Sequence, residues 1–193
     1  MKKIVLTSSG FARNPILLDK FIEFANKQPQ DIKILFVSAY PFIDTEDDSI
    51  FYYDPKNIFI RERNGLIKQG FKTKNLSNHF LDAKWKGNIM DFNAIYVNGG
   101  DVKTYIEGIT KDSFKDQIDE LINNGGIYAG ISAGSRLALA YSPVLLGYAD
   151  CEIDVHCPNA FPTGPVDRST KDVIALGEGQ ALYIAGDEWT VLG

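Results

Sequence analysis

A chain of 193 residues, 45% of them hydrophobic and 23% charged, has the size and composition of one globular domain covering residues 1–193. Its net charge is −5 and it has no block of Lys or Arg, which argues against nucleic acid or an anionic membrane surface as the main partner. We therefore expect a small-molecule partner. The two cysteines, Cys151 and Cys157, lie six residues apart, so we predict reduced thiols rather than a disulfide framework.

No segment has the pattern of a secretion signal or of a membrane span. The basic start of the chain is followed by three apolar residues, whereas a signal peptide needs about 7 to 15 and a transmembrane helix about 18. We expect a soluble, cytoplasmic protein.

Short β-rich runs alternate with helical stretches, a pattern that predicts an α/β sandwich with a largely parallel central sheet. The predicted strands and helices are, in chain order, strand 4–7, helix 15–27, strand 32–37, helix 58–69, strand 71–76, strand 94–97, helix 113–123, strand 127–131 and strand 181–185. Residues 39–56 contain two prolines, an acidic patch and several aromatics. We interpret them as a solvated insertion, and a loop that folds over a site is the alternative.

The strand at 127–131 runs directly into Gly130-Ile131-Ser132-Ala133-Gly134, and good helix formers follow. A strand, a tight glycine-flanked turn and a helix are the context of a nucleophile elbow, which presents a serine hydroxyl at the carboxyl end of a sheet. Unpaired N–H groups at the start of the helix would face a developing oxyanion. A glycine-rich turn that contains a serine by chance would have the same five-residue motif. The prediction that Ser132 is a nucleophile therefore depends on the strand and helix that flank the motif.

A nucleophilic serine needs a base, and the chain has two histidines. His79 lies in a polar stretch, and we predict a surface position for it. His156 lies in the alternating segment 151–157, which predicts a strand with Glu152, Asp154 and His156 on one face. His156 is therefore the candidate base. A metal site on these three residues is a weaker alternative, because their spacing matches no recognised ligand pattern.

The histidine in turn needs an acid that fixes its tautomer, and two carboxylates are candidates. Asp154 shares the predicted strand face with His156, while Glu178 stands between two glycines just before an apolar strand. The residues alone leave this choice open. Chain order argues against one fold, the α/β-hydrolases, in which the acid lies between the serine and the histidine together with a further strand and helix. The 24 residues from Ser132 to His156 leave no room for those elements, so the order serine, histidine, glutamate fits better.

Four segments of the second half together resemble the peptidase E family of serine peptidases, the aspartyl dipeptidases and their relatives. That family has a fold similar to class I glutamine amidotransferases, so the resemblance implies a flavodoxin-like, three-layer α/β sandwich. The segments are Tyr96-Val97-Asn98-Gly99-Gly100-Asp101, Gly130-Ile131-Ser132-Ala133-Gly134-Ser135, Asp154-Val155-His156 and Leu176-Gly177-Glu178. A serine rather than a cysteine at the elbow speaks against a glutaminase.

The resemblance implies a role for each residue of the site. Ser132 would be the nucleophile, His156 the base and Glu178 the orienting acid, which resolves the choice of acid by analogy. The backbone N–H groups of Ala133 and Gly100 would form the oxyanion hole. The implied reaction is hydrolysis of short peptides, as in a dipeptidase that prefers an N-terminal aspartate, with no metal and no other cofactor.

A substrate aspartate needs a cation in the pocket. Arg168 is the candidate, because it lies in the segment between the predicted base and acid and a guanidinium can bind a carboxylate through two parallel hydrogen bonds. Pairing of Arg168 with Asp167 or Asp172 at the surface is the alternative, and Arg136 is a second, weaker candidate.

Two other classes of function fit the same sequence. An esterase or amidase for another small acyl substrate would keep the triad, and a binding protein could keep the fold without catalysis. Neither a dinucleotide-binding glycine turn nor a phosphate loop is present, so no NAD, ATP, flavin or pyridoxal phosphate is expected. The sequence carries no signal for the oligomeric state.

Overall fold

The computed structural model describes residues 1–12, 14–39, 55–140, 142–170 and 173–193. Residues 40–54, which make up nearly all of the predicted insertion, lie outside the described residues, as does Asp172. No helix in the described ranges is both long enough and apolar enough to cross a lipid bilayer.

The described residues form five α-helices and ten strands. The helices are α1 (Pro15–Ala25), α2 (Pro55–Lys68), α3 (Val102–Ile109), α4 (Phe114–Asn123) and α5 (Ala133–Leu137). The strands are β1 (Lys3–Thr7), β2 (Ile34–Ser38), β3 (Leu76–Phe80), β4 (Ala94–Val97), β5 (Ile127–Ile131), β6 (Ile153–Val155), β7 (Gly164–Pro165), β8 (Ile174–Leu176), β9 (Ala181–Ala185) and β10 (Glu188–Leu192).

Within the described chain, eight strands form one sheet in the order β3-β2-β4-β5-β1-β9-β10-β7, and β6 pairs with β8 in a second, parallel sheet. The first five strands of the large sheet are parallel, whereas β9, β10 and β7 continue it in antiparallel fashion. This arrangement confirms the predicted α/β sandwich with a largely parallel sheet.

Apolar side chains on both faces of the sheet build the three layers. Successive residues of a strand point to opposite faces, so Phe36 of β2 packs with α1 and α2 while Leu35 packs with α3 and α4. The same division holds in β4, where Tyr96 lies on the first face and Ile95 on the second. Burial on both faces explains why these strands read as continuous apolar runs.

The bounds of most elements agree with the sequence pattern, and α1 shows why. The Asn14 side chain accepts a hydrogen bond from the backbone N–H of Ile16 at 3.0 Å, and Pro15 occupies the first turn, where its missing N–H costs nothing. The helix ends at Asn26, which adopts a left-handed conformation with φ of 50°.

The third strand and the environment of His79 were predicted wrongly. The strand is Leu76–Phe80, not 71–76, because residues 73–75 form a short 3₁₀ turn. His79 is buried, with 7% of its surface exposed, and stacks against Trp85 and Phe114. β3 lies at the edge of the described sheet, where polar residues are common. Its polar residues Ser77 and Asn78 therefore gave the sequence pattern of a loop.

The topology brings several chain segments to one edge of the sheet. β1, β4 and β5 are parallel, and Thr7 pairs with Ile131 while Val97 pairs with Gly130. The residues that follow these strands therefore emerge together at their carboxyl ends, the usual place for a ligand site in an open α/β sheet.

Candidate active site

Ser132 lies in a strained turn between β5 and α5. Its backbone has φ of 49° and ψ of −107°, a conformation that L-residues rarely adopt. The flanking glycines are required by close packing rather than by their own dihedral angles. A Cβ on Gly130 would lie 2.5 Å from the carbonyl carbon of Gly134, and a Cβ on Gly134 would collide with the backbone oxygen of Val97. The turn thus has the geometry of a nucleophile elbow, with Ser132 half-buried and reachable.

The helix after the elbow is shorter than expected, since α5 ends at Leu137. About one turn of helix carries only a small dipole, so individual N–H groups matter more than the macrodipole. Gly100 and Ala133 have no acceptor assigned to their backbone N–H groups in the described part of the chain. Gly100 has φ of 151°. A Cβ on its neighbour Gly99 would lie 3.7 Å from the Ser132 Cβ, so the glycine turn directly adjoins the serine.

His156 is within hydrogen-bonding distance of the serine: its Nε2 atom lies 3.0 Å from Ser132 Oγ. The predicted strand over 151–157 is wrong in extent, because β6 covers only Ile153–Val155. His156 leaves the strand with φ of 62°. The expected common face of Glu152, Asp154 and His156 is therefore not formed.

Glu178 contacts the other nitrogen of the ring, with its Oε1 atom 2.5 Å from His156 Nδ1. The small parallel sheet explains this meeting: Val155 pairs with Leu176, so the residues that follow both strands emerge side by side. A carboxylate at Nδ1 favours the tautomer that has its proton on Nδ1 and a lone pair on Nε2, directed at the serine.

Asp154, the alternative acid, has other partners. Its Oδ1 atom lies 2.7 Å from Nη2 of Arg136. The Cys157 thiol and the Arg136 guanidinium hold the pKa of the Asp154 carboxyl below its ordinary value. The structure thus places the carboxylate of Glu178, and not that of Asp154, beside the imidazole of His156. It also gives Arg136, the second candidate cation, a carboxylate partner at the surface.

The residues that follow β1 support this arrangement and were missed in the sequence. Ser8 Oγ accepts a hydrogen bond from the backbone N–H of His156 at 2.9 Å. Ser9 Oγ accepts one from the backbone N–H of Gly179 at 3.0 Å. A signal was present, because two serines directly follow a buried parallel strand, at the sheet edge where ligand sites form.

Arg61 of α2 is the cation that the sequence did not reveal. Its Nη2 atom donates to the backbone oxygen of Ser9 at 2.8 Å, and its Nε atom donates to Glu62 Oε1 at 3.0 Å. About one third of its side chain is exposed. An Arg-Glu pair on a helix with many charged residues looks like a solvated face, so no local pattern singles it out.

Glu62 is a fully buried carboxylate that fixes α2 to the segment after β1. Its Oε2 atom accepts hydrogen bonds from the N–H groups of Phe11 and Ala12, at 2.7 and 3.0 Å, and from the Tyr96 hydroxyl at 2.9 Å. Burial and the neighbouring Glu62 carboxylate raise the pKa of Tyr96, so this phenol remains a donor. Satisfaction by several donors is what makes a buried charge tolerable.

These segments enclose a pocket of about 410 Å³, within the range of small-ligand sites. Its described lining combines the serine, the histidine, the acid, the guanidinium and the glycine turn. The lining residues are Ser8, Ser9, Ile58, Arg61, Gly99, Gly100, Ile131, Ser132, His156 and Glu178.

Arg168 is not among the described residues of this pocket. Its Nη1 atom lies 3.2 Å from Oδ1 of Asp187, and its guanidinium lies over the Trp189 ring at 4.7 Å from the centroid. The structure therefore does not bring Arg168 to the serine, but pairs it with Asp187 at the surface. Both cysteines are free, and the described residues contain no group of three or more His, Cys, Asp or Glu side chains that could hold a metal ion.

Comparisons with known proteins agree with the fold. A crystal structure of a protein provisionally named peptidase E from Listeria monocytogenes EGD-e has a TM-score of 0.68 at 18% identity, covering 100% of this chain and 98% of the other. A peptidase from an acI-B1 Actinobacterium has a TM-score of 0.66, also at 18% identity, covering 100% and 88%. Comparison with curated proteins gives no significant match. The model of peptidase family S51 matches residues 4–143, which include the elbow, and the chain therefore belongs to that family of serine peptidases.

Proposed function

We propose that this protein hydrolyses short peptides through a triad of Ser132, His156 and Glu178. The observation that carries the proposal is the chain of contacts from Ser132 Oγ to His156 Nε2, at 3.0 Å, and from His156 Nδ1 to Glu178 Oε1, at 2.5 Å. A nucleophile, a base within hydrogen-bonding distance and a group that orients the base are the three parts of this type of catalysis.

Each group has one task in the reaction. Ser132 Oγ attacks the carbonyl carbon of the scissile peptide while His156 Nε2 accepts its proton. His156 then donates that proton to the leaving amine, and a water molecule releases the acyl group by the same steps. Glu178 remains ionised, holds the ring in the required tautomer and stabilises the imidazolium that forms at each step.

The oxyanion of the tetrahedral intermediate is held by the backbone N–H groups of Ala133 and Gly100. Ala133 directly follows the nucleophile, and Gly100 belongs to the glycine turn that lines the same pocket. Each donor of this kind contributes about 2.7 to 4 kcal/mol to lowering the barrier.

We further propose a dipeptidase that prefers an acidic N-terminal residue, with Arg61 rather than Arg168 as the cation that binds its side chain. Arg61 lines the pocket together with Ser132, and a guanidinium has five N–H donors. Glu62 and the Ser9 carbonyl account for two of them, which leaves three N–H donors of Arg61 with no assigned acceptor among the described residues. That number is sufficient for a bidentate contact with a carboxylate.

The experiment is a panel of dipeptides assayed with the wild type and with Ser132→Ala. Asp-X, its neutral near-isostere Asn-X and Ala-X test the acidic preference, and longer peptides that begin with Asp test the length preference. We expect Asp-X to have the highest kcat/KM and Ser132→Ala to lower it by about 10,000-fold or more. Hydrolysis of simple esters but of no peptide would overturn the proposal, as would full activity of Ser132→Ala.

A further inference from the structure

We propose that Ser8 and Ser9 are positioning residues that together fix the hydrogen bond between His156 and Glu178. The inference rests on the proposed function, since it assigns a role within the same triad. It differs from that function in naming residues that do not react and that act only through the loops they hold.

Ser8 determines where the histidine lies. Its hydroxyl oxygen accepts the backbone N–H of His156 at 2.9 Å and lies 3.4 Å from the Nδ1 atom of the same residue. His156 has a left-handed backbone, with φ of 62°, which costs energy unless neighbouring groups hold it. The Ser8 hydroxyl supplies such a contact at the residue itself.

Ser9 determines where the acid lies. Its hydroxyl oxygen accepts the backbone N–H of Gly179 at 3.0 Å, directly after Glu178. The carbonyl of Gly179 also accepts from Asn14 Nδ2 at 2.9 Å, so both sides of this peptide turn are held. The backbone N–H of Ser8 donates to the backbone carbonyl of Gln180 at 3.1 Å, which is a further hydrogen bond to the same turn.

Because Ser8 and Ser9 are adjacent, they connect the loop after β6, which carries His156, to the loop after β8, which carries Glu178. Consecutive Cα atoms lie about 3.8 Å apart across a trans peptide, so one covalent unit sets the separation of the loops that carry base and acid. Ser8 is fully buried and Ser9 is 4% exposed, so water does not compete for either hydroxyl. The elbow joins the same strand end, because the Ser132 N–H donates to the Thr7 carbonyl at 3.0 Å.

The test compares Ser8→Ala, Ser9→Ala and the double variant, each with and without Glu178→Gln. A displacement of about 1 Å in a catalytic group costs about 100-fold, so we expect each single variant to lower kcat on Asp-X by roughly 10- to 100-fold. KM should change little, because neither hydroxyl is assigned to the substrate. Both serines act on one contact, so the double variant should lose little more than the worse single variant, and either loss should nearly vanish beside Glu178→Gln.

Tyr183→Phe is the matched control, because it removes a buried hydroxyl that donates to the Leu17 carbonyl, away from the described pocket. It should cost stability without changing kcat. An equal loss of kcat for the serine variants with and without Glu178→Gln would overturn the inference, as would an effect confined to KM. Wild type and Ser132→Ala are assayed alongside, so a failure of the proposed function appears as equal activity of those two proteins.

A second readout does not depend on turnover. A proton in a short imidazole–carboxylate hydrogen bond gives a far-downfield NMR resonance, which Glu178→Gln should abolish. Ser8→Ala and Ser9→Ala should shift or broaden this resonance, whereas Tyr183→Phe should leave it unchanged. An unchanged resonance in both serine variants would contradict the inference even if their kcat values fell.

Discussion

His156 Nδ1 lies 2.5 Å from Glu178 Oε1, although 22 residues separate the two side chains in the chain. They meet because β6 and β8 are parallel and paired, and because β6 ends directly before His156 while β8 ends two residues before Glu178. Asp154, two residues from the histidine, instead binds Arg136 at 2.7 Å. Proximity along the chain is thus a poor guide to which carboxylate contacts the imidazole of His156.

Exchanging the two acids separately distinguishes their roles. Glu178→Gln keeps the shape of the side chain but replaces the carboxylate, so the histidine loses the acceptor that fixes its tautomer. We expect kcat to fall by about 10,000-fold. Asp154→Asn, measured in the same steady-state assay, should leave kcat nearly unchanged. A larger loss for Asp154→Asn would assign the orienting role to Asp154.

The two arginines are separated by their effect on substrate preference. Arg61→Gln should lower kcat/KM for Asp-X by roughly 10- to 100-fold, because a hydrogen bond to a charged group is worth about 1.5 to 3 kcal/mol. Its effect on Ala-X should be small. Arg168→Gln removes a contact to Asp187 and should leave both substrates unaffected. Selective loss of Asp-X hydrolysis in Arg168→Gln would restore the original assignment of Arg168.

Removing the buried Glu62 carboxylate should destabilise the protein strongly. Glu62→Ala leaves the N–H groups of Phe11 and Ala12 and the hydroxyl of Tyr96 with a partner missing. We expect a loss of about 3 to 5 kcal/mol in the free energy of unfolding, measured by urea titration. Lys20→Ala, which removes an exposed ion pair with Glu23, should cost less than about 1 kcal/mol. Equal losses would contradict the role of Glu62.

The buried His79 predicts a pH dependence of stability. Burial lowers the pKa of His79 from its ordinary value of 6.5, while the nearby Asp82 raises it by a smaller amount. The unfolded state therefore binds a proton at a pH where the folded state does not, and stability falls as the pH drops below about 6.5. In His79→Phe this contribution is absent. The unfolding free energy of wild type minus that of His79→Phe should thus become smaller from pH 7.5 to pH 5. A constant value would contradict the lowered pKa of His79.

Much of the fold could be predicted because its determinants are local. Strand β5 is a run of buried residues that contains Gly130 and is followed by Gly134, and both its bounds and the elbow follow from that pattern. Strand β3 was misplaced because its polar residues lie at a sheet edge. The buried position of His79 depends on contacts with Trp85 and Phe114. Both residues lie outside β3, so the hydrophobic periodicity of the strand cannot indicate these contacts.

The supporting residues of the site could not be predicted for a similar reason. Arg61, Ser8 and Ser9 acquire their roles only when α2, β1 and the loops after β6 and β8 meet at one sheet edge. Such meetings depend on strand order and pairing, and hydrophobic periodicity carries information on neither. Ser132 could be singled out because the close packing around its turn requires glycines at positions 130 and 134, which are visible in the sequence.

The most direct test of the triad is covalent labelling with a fluorophosphonate probe, which reacts with activated serine hydroxyls. Peptide mapping of the labelled wild type should place the adduct on Ser132, and Ser132→Ala should abolish it. His156→Gln should slow labelling greatly, whereas Ser169→Ala, at an exposed serine, should label at the wild-type rate. Labelling that persists in Ser132→Ala, or a folded wild type that takes up no probe, would contradict the account.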